Sequence, residues 1–163
     1  MKTKVIDLLN KAVAEELYAI NQYMYFHFHC DDQGYDILAA LFKKIAIDEM
    51  KHLEEFAERI LFLKGEVNMI PSSDVKKITN VKEMLELSRK LENEAMEDYN
   101  KMAIECANNN DAVTKTIFEE ITKEGREWME ELNERNHQER LQNKYFKQQR
   151  ILNSKEDKRI FYE

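Results

Sequence analysis

What most constrains this chain is how few helix-breaking residues it has. Its 163 residues include 3 glycines and 1 proline. Inside a helix Gly costs about 1 kcal/mol and Pro about 3 kcal/mol relative to Ala, and the same residues nucleate most tight turns. With breakers only at Gly34, Gly65, Pro71 and Gly125, the residues for many turns are absent and the chain suits long helices with few loops. Apolar spacing agrees. The spacing predicts a first helix from about Lys4 to Cys30, with Thr3 as N-cap, and a second from about Asp36 to Lys64, stopped by Gly65. A third opens at Asn80-Val81-Lys82-Glu83, a start resembling a capping box, and reaches Cys106; a fourth carries Val113, Ile117, Phe118, Ile121, Trp128 and Leu132. Beyond Leu132 the apolar rhythm fades. A short fifth helix is expected around Leu141 to Ile151, so residues 1–152 form one domain and 153–163 a charged, solvated tail.

The connections set the topology. Asp31-Asp32-Gln33-Gly34 and Asn108-Asn109-Asn110-Asp111 are short turns and make their helices antiparallel neighbours. Residues 66–79, with Pro71, form the one long connection. Extended, it reaches on the order of 45 Å, and the second helix is about 43 Å long. The connection can therefore run the length of the bundle and start the third helix parallel to the second. The expected fold is an all-α four-helix bundle with one long crossover.

A formal net charge of −7 argues against a nucleic-acid binder. No apolar run approaches the ~20 residues of a membrane helix, and Met1 to Asp7 lacks the apolar core of a signal peptide. Cys30 and Cys106 have no metal-ligand spacing; they read as reduced thiols of a cytoplasmic protein. They end antiparallel helices, so they should lie at opposite ends of the bundle.

Each of the first three helices places a lone carboxylate on an apolar face. In the second, Glu49 and His52 share the stripe of Leu38, Phe42, Ile45, Phe56, Ile60 and Leu63, one turn apart. In the first, Glu16 lies among Leu9, Ala12, Val13, Ile20 and Tyr23. In the third, Glu92 follows Leu85 and Ser88 and precedes Tyr99. Burying such groups unpaired costs several kcal/mol. Glu-x-x-His facing a bundle core is either a hydrogen-bonded pair or half of a di-iron carboxylate site. His27 and His29 are two apart and face different ways, so they read as ordinary side chains near a helix end. Leu17, Asn21, Met24 and Phe28 make a second stripe on the first helix, and Met50 points outward with Ile47, Ala57 and Leu61. These faces suit contact with another copy.

The chain resembles the bacterioferritins. The resemblance is carried by Leu9-Asn10-Lys11, Glu16-Leu17, Ala19-Ile20-Asn21-Gln22-Tyr23, Ile47-Asp48-Glu49-Met50-Lys51-His52, Glu58-Arg59-Ile60-Leu61-Phe62-Leu63 and Leu141-Gln142-Asn143. It implies iron storage in a shell of 24 subunits built from dimers, with ferroxidase chemistry at a di-iron site and haem b held between subunits by methionines. By this resemblance Glu16, Glu49 and His52 hold the first iron, Glu92 bridges to the second, and Met50 is the haem ligand. The family's fourth helix supplies a second Glu-x-x-His, and here those positions are Gly125 and Trp128. Glu124 and Glu127 are the nearby carboxylates that a local helix distortion could bring in. The expectation is an iron-storage subunit with weakened or absent ferroxidase activity. The rivals are a structural or haem-carrying subunit that co-assembles with an active paralogue, and a small-oligomer metal oxidase.

Overall fold

The structure is a computed structural model that describes the backbone of residues 2–160 and the side chains of residues 2–151. The described residues form four helices: α1 (Lys2–Asp32), α2 (Asp36–Phe62), α3 (Val81–Asn108) and α4 (Ala112–Ile160). α1 pairs with α2 and α3 with α4, and α2 also packs on α4. Thr3 lies inside α1 and is not its cap, a shift within the usual fraying of helix ends. The tail expected over residues 153–163 falls on side chains outside the described residues.

α1, α2 and α3 all end in the same way. Gly34, Lys64 and Asn110 adopt left-handed φ of 78°, 65° and 58°. In each case the next N–H turns back to the helix: Tyr35 to Cys30 O (2.9 Å), Gly65 to Ile60 O (2.9 Å), Asp111 to Cys106 O (2.9 Å). These are Schellman closures. At the end of α2 the left-handed residue is Lys64, not Gly65. Gly65 is needed for a different reason: a Cβ there would lie 2.8 Å from Ile6 Cγ2.

The crossover runs along α1 and is fastened to it. Asn10 donates to Glu66 O and accepts from Asn68 N; Ser72 N donates to Ala14 O; Gln22 both donates to Lys76 O and accepts from Lys76 N. α3 therefore starts beside the C-terminal end of α1 and runs parallel to α2. Its Asn80 cap accepts from Glu83 N at 3.2 Å, as the sequence predicts.

The expected break after Leu132 does not occur, and the fifth helix is part of α4. Residues 133–151 are rich in Glu, Arg, Gln and Lys, which favour helix even where the apolar rhythm stops. Glu139 gives the extension an anchor. It is 3% exposed, and its carboxylate accepts from Ile37 N (2.9 Å) and Leu38 N (3.1 Å). This caps α2, whose own N-cap residue Tyr35 makes no side-chain cap bond. At the start of α4, Val113 is exposed and Thr114 is buried instead. Thr114 bonds Asp111, and Arg59 bonds both.

The core is in two pieces. One gathers Cys30, Leu38, Phe42, Met84, Trp128 and Leu132, the other Val5, Leu9, Phe56, Ile60, Cys106 and Phe118. The two free, buried cysteines lie in different pieces. Burial pushes their thiols up, to about 12 for Cys30 and about 11 for Cys106. Between the two clusters lies a polar middle layer.

Candidate metal centre

Three helices, α1, α2 and α3, bring Glu16, Glu49 with His52, and Glu92 into that layer, each no more than 8% exposed. Ligand atoms of Glu16, Glu49 and His52 lie within 4.8 Å of one another. His52 Nδ1 is 3.0 Å from Glu49 Oε2 and 4.0 Å from Glu16 Oε1. Glu92 stands beside this trio and is held by Tyr23, whose hydroxyl donates to its Oε1 at 2.5 Å. Tyr99 donates to Glu16 Oε1 at 2.6 Å.

Electrostatics make the layer a demand for positive charge. Burial pushes the Glu16 carboxyl well above its usual range, and the nearby Glu49 charge adds to this. Burial likewise raises Glu49, with Glu92 contributing, and raises Glu92, with Glu16 contributing. The far side of His52 is fixed by Glu124, whose Oε2 is 2.8 Å from Nε2. An Nε2–H donated to Glu124 turns the Nδ1 lone pair toward the Glu49 and Glu16 oxygens. Three electron-pair donors then face one point, an arrangement that a cation or a shared proton satisfies. Carboxylate with imidazole is a donor set suited to iron.

The α4 side is different. Trp128 stacks on His52 with ring centroids 5.3 Å apart. Gly125 faces Glu92: a Cβ placed there would sit 3.5 Å from Glu92 Oε2. The register argued from sequence thus puts these two residues against the layer, and neither carries a ligand atom. Glu124 approaches His52 from its outer edge and is half exposed; Glu127 is exposed. His27 bonds Ala39 O and His29 packs on Tyr25, away from the layer. Met50 is 55% exposed, on the outer side of α2 with Ile47 and Leu61.

Sequence reasoning missed the two tyrosine bonds. Their signal is a repeat: Glu16-x6-Tyr23 on α1 and Glu92-x6-Tyr99 on α3. In antiparallel helices this spacing lets each tyrosine reach the other helix's glutamate.

The Ferritin-like domain family matches residues 6–141. A bacterioferritin of Desulfovibrio desulfuricans is 44% identical over 123 residues, which are 76% of this chain and 69% of that protein. One from Brucella melitensis is 36% identical over 118 residues, 72% of this chain and 73% of that protein. The X-ray structure of the Desulfovibrio desulfuricans bacterioferritin, which reports its diiron site in different catalytic states, superposes with a TM-score of 0.83 at 39% identity. It covers 90% of this chain and 86% of that one. With a family match over most of its length and relatives at this identity, the chain belongs to the bacterioferritins, within the ferritin-like domain family.

Proposed function

We propose that the chain is an iron-storage shell subunit that holds one metal ion firmly, at Glu16, Glu49 and His52 with Glu92 alongside, and a second weakly or not at all. The observation that carries this reading is the asymmetry about the polar layer: α2 offers Glu49 and His52, whereas α4 offers Gly125 and Trp128. Fe2+ is the substrate and cargo. Drawing electrons from two Fe2+ ions at once needs donors on both sides of the pair, so rapid ferroxidase turnover is weakened or absent. The chain's own groups still bind and orient. Tyr99 and Tyr23 hold the Glu16 and Glu92 carboxylates in place, and Glu124 holds the His52 ring.

The same reading makes the protein a cytoplasmic homo-oligomer, a 24-subunit shell assembled through dimers, with haem b held by Met50 of two copies. The exposed Met50 thioether amid Ile47 and Leu61 supports the haem site. No helix of the described residues is long and apolar enough to cross a membrane. A subunit co-assembling with an active paralogue is favoured by the same bare α4, and is separated by whether the pure chain mineralises iron alone.

Anaerobic titration with Fe2+ followed by stopped-flow oxidation tests the main claim. One tight ion per chain and slow oxidation are expected. Two tight ions with rapid oxidation overturn it. Haem-reconstituted protein should give a low-spin spectrum that Met50→Leu abolishes.

A further inference from the structure

The polar layer is reached through a cavity of about 410 Å³, whose outer walls come from α1, α3 and the crossover. We propose that a second cation site stands at the mouth of this cavity, formed by Glu15, Tyr18 and Glu94, which captures a hydrated divalent cation before it moves inward to Glu16 and Glu92. The inward step rests on the metal centre proposed above; the outer site stands on its own residues.

The first observation is Tyr18. It lines the cavity and is 8% exposed. Its hydroxyl is the only buried side-chain oxygen or nitrogen among the described residues that lacks a hydrogen-bond partner. A buried hydroxyl left without a partner costs about 1–3 kcal/mol, so its place in a polar cavity points to a partner supplied from outside the chain. A hydroxyl serves a hydrated cation in two ways, accepting from its water or lending a lone pair.

The second observation is the charge around it. Glu15 and Glu94 line the same cavity from the two facing helices, and the Glu94 charge acts on the Tyr18 hydroxyl. Each has a competing cation. Lys11 reaches Glu15 at 3.6 Å and Asp98 at 2.9 Å, and Lys90 reaches Glu94 at 3.8 Å. Both lysine side chains are more than half exposed. Exposed pairs of this kind contribute about 1 kcal/mol at most, so a divalent ion displaces them. Asp98 is also paired with Lys101 and stays a flank.

The outer site offers two carboxylates and a hydroxyl, against the inner trio of two carboxylates and an imidazole gathered within 4.8 Å. A donor set without the imidazole suits an ion held through its water shell, loosely enough to release it. Sequence supplies the path. Glu15 adjoins Glu16 on α1, and Glu94 lies two residues from Glu92 on α3, so each wall is acidic from mouth to floor.

The test uses Co2+ with the full-length protein under anaerobic conditions. Calorimetry counts binding classes, and stopped-flow visible absorption follows arrival at the inner site through the Co2+–His52 band. Wild type should show a tight and a weak class. Glu15→Gln/Glu94→Gln should lose the weak class and load about tenfold more slowly, the scale of lost electrostatic steering, with the final band unchanged. Tyr18→Phe should weaken the outer class several-fold, with a metal-free thermal midpoint no lower than that of wild type, and Lys11→Gln should strengthen it. An unchanged weak class and loading rate in the double variant overturn the proposal. So does Tyr18→Phe behaving as wild type, since water alone then satisfies the hydroxyl. A wild type with no inner band, but with a weak class that the double variant loses, overturns the metal centre and keeps the outer site.

Discussion

At the scale of single residues, Trp128 and Gly125 decide what the polar layer does. Gly125 has room for a side chain, because the nearest atoms to a Cβ there are at ordinary contact distance. Gly125→Glu/Trp128→His should therefore add a second metal per chain, read by Fe2+ titration, and speed oxidation. The stripped double variant should lose a few kcal/mol of stability, because a buried indole is traded for a smaller polar ring. Acidity gives a second expectation. Glu16, Glu49 and Glu92 are all raised by burial. Folded, metal-stripped protein then keeps protons that the unfolded chain releases. The stability tied to them is full below the ordinary value of 4.5 and is lost as pH rises toward 8, where Glu49 is pushed. The melting temperature of stripped protein should fall across that window, by about 3 °C per kcal/mol lost. Glu49→Gln should remove much of the slope, and bound Co2+ should flatten it by replacing protons. The four inner ligand candidates were readable from sequence because each is a lone ionisable group in an apolar stripe. Glu124 was legible only as a nearby carboxylate; its contact with the outer edge of the His52 ring was not, because it is half exposed and comes in from the flank.

At the scale of elements, the breaks between helices were readable and the bond closing each one was not. Composition places stops near Gly34, Gly65 and Asn108–Asp111, yet the left-handed residue after α2 is Lys64. That conformation costs a residue with a Cβ about 1–2 kcal/mol. Lys64→Gly should therefore stabilise the protein by up to about 1 kcal/mol, as a rise in the urea midpoint. The length of α4 escaped periodicity for a physical reason: a helix of polar helix-formers has no apolar rhythm to detect. Glu139 was hidden for the same reason, since its partners are N–H groups of α2, over 100 residues away in sequence. Glu139→Ala removes two charge-assisted bonds from a helix start and should cost about 2 kcal/mol, measured by urea unfolding with no change in metal stoichiometry.

At the scale of the whole molecule, the bundle buries one set of apolar faces and leaves another in solvent. Phe28 on α1 and Ile47, Met50 and Leu61 on α2 are between 44% and 60% exposed. On α2 these residues recur on one side, because positions 47, 50 and 61 fall within about 60° of one another at 100° per residue. A patch of this kind on a protein of net charge −7 marks an interface. In a homo-oligomer the simplest interface is two-fold, with the same patch on both copies. One substitution then acts twice at each contact. Leu61→Lys places two ammonium groups in that interface, and because Leu61 is already 57% exposed the monomer's core is untouched. Wild type should sediment as a shell of about half a megadalton, given 24 chains of 19.5 kDa. Leu61→Lys should run as monomer or small oligomer with an unchanged helical spectrum, and it should still bind its firm metal ion, since Glu16, Glu49 and His52 all come from one chain. A wild type that is monomeric at micromolar concentration defeats the assembly expectation. A Leu61→Lys variant that still forms the large particle assigns the assembly to another face.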